Sequence, residues 1–382
     1  MASVQEQALG PSNGYRSPPP HLHWAKIPQY LSHTIKTTLL CSSANYFLAL
    51  VPPAIVAAEF KWNPVAVFLL NFLAILPLAE LLSWSTEQLA GSVGQTLGGL
   101  LNATMGNAVE MIVGITALRQ EQFSIVQSSM IGSILSSILL ILGSCFFTAG
   151  YKEKVVNFNV DLIGVMSSLM IVSAASLIIP SASYFADLSA QGMESSNDYI
   201  LTLSHIAAII LFSFYVVYLV FQLRTHADIF ADPEAEEPES PALDPWAASL
   251  ILLAATVGVS VCSDCLVDSV DGFVEKLGVS RAFIGLIIVP IVGNAGEFVA
   301  TIHQARKNNM NFAIKLIVES TLQIALFVTP FLVIVGWIIG KNMSLRFDTF
   351  QTTVLSMAVI VVSCLIRDGR SNYFEGFLLV ST

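Results

Sequence analysis

Apolar runs of membrane-spanning length follow one another along this chain, and no other feature narrows its fold so far. A hydrocarbon core about 30 Å thick is crossed by about 20 apolar residues in a helix, which satisfies its backbone amides internally. Runs of that kind predict helices near 39–58, 64–84, 96–118, 125–148, 160–180, 199–222, 246–268, 281–304, 311–338 and 350–366. An eleventh apolar stretch starts near Tyr373 and reaches Thr382, too short to cross; it is expected either as a truncated span or at the interface. The fold class is therefore an all-α integral membrane protein with about 10–11 transmembrane helices.

Composition closes the alternatives. Of 382 residues, 54% are hydrophobic and 12% charged, half the roughly 25% usual in a soluble domain. That excludes a disordered chain or a coiled coil and argues against a soluble enzyme. The 17 Lys and Arg face 27 Asp and Glu with no basic stripe, so no nucleic-acid partner is expected. The partner is the lipid bilayer, with a homo-oligomer compatible. Cys262 and Cys265 form a lone C-x-x-C in an apolar run, read as two small core residues.

Residues 1–38 are polar, carry Pro11, Pro18, Pro19 and Pro20, and lack a secretory signal, so they read as a flexible cytosolic tail. The predicted loops put Arg16, Lys26, Lys36, Lys152, Lys154, Arg224, Arg306, Lys307, Arg367 and Arg370 on the side of the N-terminus. Lys61, Arg119, Lys276, Arg281, Lys341 and Arg346 fall on the other, a bias that makes the N-terminus cytosolic. Residues 224–244 hold Asp228, Asp232, Glu234, Glu236, Glu237, Glu239 and Asp244 against one Arg224. The segment is either a solvated linker between halves or a carboxylate collector that raises the local cation concentration.

A repeat organises the chain. Gly106-Asn107-Ala108-Val109-Glu110 recurs as Gly293-Asn294-Ala295-Gly296-Glu297, shifted by 187 residues. The same shift pairs Gly91 with Gly278, Gly98 with Gly285, Ser133 with Ser320 and Ser136 with Gln323. An odd number of spans per half inverts one half against the other, an arrangement that places a transporter's substrate at midplane.

The repeated residues suit a hard cation. Asn107 and Glu110, like Asn294 and Glu297, share a helix face three residues apart. Gly-Asn weakens the helix, and a break there frees carbonyl oxygens, tolerated at membrane depth only where backbone is buried in protein or lines a cavity. A mid-membrane carboxylate is expensive and marks a functional site by default. With Ser133, Ser136, Ser320 and Gln323 the set is all oxygen, and six to eight oxygens suit calcium. The same lone pairs hold protons when the metal leaves. No cofactor is expected beyond the transported calcium and protons.

These motifs resemble a known family. Both Gly-Asn-x-x-Glu repeats, Asn102-Ala103-Thr104-Met105-Gly106-Asn107-Ala108-Val109-Glu110 and Gln323-Ile324-Ala325-Leu326-Phe327-Val328-Thr329-Pro330 are similar to the calcium/proton exchangers of the cation/calcium antiporter superfamily, nearest to the fungal vacuolar type. The resemblance implies an isolated first helix (39–58), two inverted five-helix repeats (64–222 and 246–382, the last helix truncated) and an acidic linker or helix (224–244) between them. It implies calcium loading into the vacuole driven by protons. Glu110 and Glu297 would be the central carboxylates, with Gly106, Gly293, Asn107, Asn294, Ser133, Ser320 and Gln323 around them. Glu87, just after the second span, would sit at the cytosolic entrance, and Asp232, Glu236 and Glu239 would belong to the acidic helix.

The chain departs from the family pattern at Phe298, where His is usual, at Ser137, where Asn is usual, and at Lys315 and Glu319, where glycines are usual. Glu319 is either a third carboxylate beside the site or one neutralised by Lys315, a helical turn away. Glu80, inside the second span, reads equally as a pore or a packing residue. Competing functions are a non-transporting relative with an impaired second repeat and a sodium-coupled exchanger. An intramembrane hydrolase finds neither H-E-x-x-H nor a Ser/His arrangement here.

Overall fold

The computed structural model describes residues 27–191, 197–227 and 241–382, and Asp232, Glu236 and Glu239 lie outside them. Helix α1 spans Ile27–Leu40, α2 Val51–Glu59, α3 Pro64–Val93, α4 Gln95–Met105, α5 Ala108–Arg119 and α6 Phe123–Lys152. Then follow α7 (Val160–Gln191), α8 (Asn197–Val220, continued by a wider turn to Thr225), α9 (Pro245–Leu277), α10 (Arg281–Gly293), α11 (Ala295–Arg306), α12 (Met310–Ile338), α13 (Thr349–Leu365) and α14 (Tyr373–Ser381). A two-residue antiparallel bridge, β1 (Val156–Asn157) with β2 (Arg370–Ser371), is the sole sheet among the described residues.

By length and composition, α3, α6, α7, α8, α9 and α12 can each cross a membrane, and two bent helix pairs pass the same test jointly. One is α10 with α11; the other joins the second half of α1 to the helical stretch Ala44–Glu59. Helix α13 is apolar but shorter. The predicted span 96–118 is two short helices, α4 and α5, broken at Gly106-Asn107.

The first helix also differs from its expectation. Helix begins at Ile27 rather than beyond residue 38, and the predicted 39–58 helix is cut by a bend of 104°. Ser42 caps Ala44 N at 3.2 Å, and Asn45 Nδ2 turns back to Thr38 O at 2.7 Å. These short polar side chains satisfy the backbone where a continuous helix would otherwise do so. Helix α3 runs nine residues past its predicted end, because the polar run that lowers its hydropathy is absorbed by the helix itself. Ser85 and Thr86 donate to Leu82 O, and Ser92 to Gln88 O.

Antiparallel α3 and α9 form the long central pair, with Phe68 on Phe273 (centroids 4.1 Å apart) and Gly258 accommodating Leu78. Gly94 ends α3 at φ 89°, a conformation that favours glycine. Close helix approach recurs where glycines stand. A Cβ on Gly132 of α6 would lie 2.2 Å from Leu286 O of α10.

The eleventh apolar stretch is a helix that docks on α6. A Cβ on Gly376 would meet Phe147 N at 2.4 Å and Gly143 O at 2.6 Å. Backbone cannot yield cheaply, so Gly376→Ala is expected to cost about 1–3 kcal/mol, read as a lower melting temperature in detergent.

Candidate cation site

Two interrupted helices meet at the centre, one from each repeat. Asn107 (φ −111°, ψ 32°) separates α4 from α5, and Asn294 (φ −88°, ψ 6°) separates α10 from α11, which are bent by 57°. Both asparagines stand where a helix is ordinarily capped by a side-chain oxygen. Neither caps its own helix. Each reaches across to the other repeat: Asn107 Nδ2 donates to Gln323 Oε1 at 2.6 Å, and Asn294 Nδ2 to Ser133 O at 3.1 Å.

Glu110 and Glu297 sit in the first turns of α5 and α11, at the helix ends whose free N–H groups favour negative charge. Gly293 lets the repeats touch, since a Cβ there would lie 2.6 Å from Glu110 Oε1. A Cβ on Gly106 would approach Gln323 Oε1 to 3.5 Å. Ser320 Oγ donates to Glu297 Oε2 at 2.8 Å, and the two carboxylates lie within electrostatic reach of each other. Wider π-type turns follow in α6 (Ser136–Ile141) and α12 (Ile324–Val328), at matching places in the two halves. Such turns often mark functional sites.

Several buried oxygens here have no hydrogen-bond partner: Glu110 Oε2, Glu297 Oε1, Asn294 Oδ1 and Ser137 Oγ. Buried polar atoms are nearly always satisfied, and an orphaned carboxylate oxygen is the costliest exception. Among the described residues no three His, Cys, Asp or Glu converge, so amide and hydroxyl oxygens would complete a shell around the two carboxylates. A narrow cavity opens beside Glu110, lined by Phe72, Ile75, Val109, Leu266 and Gly293 among others.

Glu319 faces away from this pair. Its Oε1 accepts from Gln222 Nε2 at 2.5 Å at the end of α8, and Lys315 Nζ stands 3.9 Å off. Tyr215 and Tyr218 share its field. Because its partners lie away from the Glu110–Glu297 pair, Glu319→Gly is expected to leave the calcium KM within about twofold, measured by uptake; a larger shift would put this carboxylate in the cation's path. Glu87 is an exposed residue inside α3 rather than beyond it. Sequence reasoning named Ser137 only as a departure from the family pattern and not as a site residue, although it stands beside Glu297, and left Glu80 undecided. Ser137 had a visible signal, being Ser133's neighbour one turn on in the same repeat.

The whole arrangement has known counterparts. The family model described as sodium/calcium exchanger protein matches residues 63–224 and 247–382. The chain is 42% identical over 348 residues to a vacuolar calcium ion transporter of Schizosaccharomyces pombe, covering 91% of this chain and 84% of that protein. It is 35% identical over 370 residues to vacuolar cation/proton exchanger 2 of Arabidopsis thaliana, covering 94% and 83%. The solved structure of native YfkE superposes with a TM-score of 0.74 at 34% identity, covering 88% of this chain and 96% of that one. On the fold, the paired breaks and these matches, the chain belongs to the sodium/calcium exchanger protein family.

Proposed function

We propose that this chain is a secondary antiporter that exchanges calcium for protons and loads calcium into the vacuole, with its N-terminus in the cytosol. The observation that carries the reading is the set of buried, unpartnered oxygens on Glu110, Glu297 and Asn294, contributed by both repeats to one place. The relatives' names, calcium ion transporter and cation/proton exchanger, support the same pair of ions.

The chemistry follows from charge. Two carboxylates balance one divalent cation or two protons, and either load removes the cost of carrying bare charge through the membrane. Cation and protons compete for the same lone pairs, so one leaves as the other arrives. The unloaded pair is the expensive state, which favours strict exchange over leakage. Asn107 and Asn294, each tied to the opposite repeat, hold the two breaks together while the halves move around them.

Calcium uptake into sealed vesicles carrying this chain, with an acidic interior, tests the reading beside Glu110→Gln. Uptake that an uncoupler collapses and the variant lacks is the expected result. Uptake driven by sodium instead would replace the proton by sodium, and no uptake by well-inserted protein would make this a non-transporting relative.

A further inference from the structure

The internal repeat singles out one carboxylate that the exchange chemistry above does not use. The cavity beside Glu110 is lined by Val109, Ile75 and Leu266. The offset of 187 residues carries Val109 to Gly296, Ile75 to Cys262 and Leu266 to Ala79. These counterparts mark the matching approach to Glu297. The residue after Ala79 is Glu80, and its own counterpart, beside Leu266, is Val267. Val267 is buried and aliphatic, whereas Glu80 is half-buried and charged.

The residue opposite Glu80 has changed as well. Where the Glu110 side has Val109, the Glu297 side has Gly296, and Glu80 Oε2 lies 3.6 Å from where a Cβ on Gly296 would stand. Gly296 directly precedes Glu297, so the Glu80 carboxylate reaches the helix turn that carries the second site carboxylate. Ser42 and Cys41, at the bend after α1, stand against its other side. Two helical turns along α3, the exposed Glu87 shares its electrostatic field. One approach to the site is thus stepped with carboxylates from the surface inward. The other passes Phe72, Ile75 and Leu266.

We propose that Glu80 passes a divalent cation from Glu87 to the Glu110–Glu297 pair, so that the two faces of the exchanger capture cation unequally. The proposal rests on the transport reading above. A fixed carboxylate close to the path raises the local cation concentration, and the effect is strongest where water is scarce. It acts on arrival rather than on the turnover of the loaded site, which confines its signature to one face and one kinetic constant.

The test compares wild type with Glu80→Gln in vesicles of both orientations, with calcium titrated on each face. The calcium KM on the Glu80 face is expected to rise about tenfold, with maximal rate within about twofold and the opposite-face KM unchanged. Gly296→Val, which restores the counterpart of Val109 and crowds the carboxylate, is expected to shift the same constant on the same face. An unchanged KM in Glu80→Gln, an equal rise on both faces, or a lost maximal rate overturns the proposal. A terbium titration in detergent, excited through tryptophan, gives a readout free of transport, because Trp84 lies one turn from Glu80 on α3. Its emission is expected to weaken in Glu80→Gln and persist in Glu110→Gln; unweakened emission in Glu80→Gln counts against a cation at Glu80. A wild type that shows no exchange overturns the transport reading alone, and the terbium result then still decides on Glu80.

Discussion

Gly293→Ala is expected to lower calcium uptake about 100-fold while the protein still folds and inserts. The added Cβ would sit 2.6 Å from Glu110 Oε1 and 3.0 Å from its Cδ. The atoms in its way are the far end of a side chain, so the carboxylate swings aside and the backbone stays put. A displacement of about 1 Å in a catalytic or binding group can cost about 100-fold. The glycine therefore guards the position of a charge rather than the fold. Two comparisons separate these roles. Gly132→Ala places its Cβ 2.2 Å from Leu286 O, a backbone atom that cannot step aside, and is expected to lower the yield of folded protein instead. Gly164→Ala finds nothing within 4 Å and is expected to change neither uptake nor melting. Uptake in vesicles, normalised to folded protein by size-exclusion chromatography, reads all three. A Gly293→Ala variant with wild-type uptake would remove Glu110 from the place assigned to it.

Lys315→Met is expected to destabilise the protein by about 3 kcal/mol, and Lys315→Met with Glu319→Met to recover most of that loss. Removing one partner of a buried ion pair leaves the other charge uncompensated, at about 3–5 kcal/mol, whereas replacing both by apolar residues of similar volume is often close to neutral. The low end applies, since the pair is 3.9 Å apart and its side chains keep 20% and 13% of their exposure. The hydrogen bond from Gln222 remains to Glu319 and softens the effect further. Thermal melting of the single variants and the double variant closes a cycle that isolates the pair. Additive losses would show that Lys315 and Glu319 do not depend on each other.

The repeat was legible because polar residues are rare in this chain, and those at a constant offset stand out from the apolar background. That offset locates both Gly-Asn breaks and the residues around them. The long-range pairings were not legible. Nothing in one sequence says that Asn107 turns to Gln323, or that Gln222 reaches Glu319, because those contacts depend on how helices far apart in the chain come to lie together. Helix limits were blurred for a local reason. Ser85, Thr86 and Ser92 lower the hydropathy of α3 without interrupting it, since each hydroxyl bonds a carbonyl of its own helix. The reverse happened after α1, where Ser42 and Asn45 use the same chemistry to bend the chain. The motifs alone carried the resemblance to calcium/proton exchangers, and the family model described as sodium/calcium exchanger protein matches the stretches that hold them.

The docking of α14 on α6 has a consequence for biosynthesis. The groove on α6 around Gly143 and Gly150 is filled by residues from Tyr373 to Val380, more than two hundred positions later in the chain. While the ribosome is still making the second repeat, that groove has no protein partner. The first half can thread into the bilayer early, but it reaches its final packing only after α14 has been made. Contacts so distant in sequence form slowly. Newly made protein is therefore most vulnerable to degradation in the interval between synthesis of α6 and the arrival of α14, and substitutions at Gly143 or Gly376 would lengthen that interval before they altered any transport step.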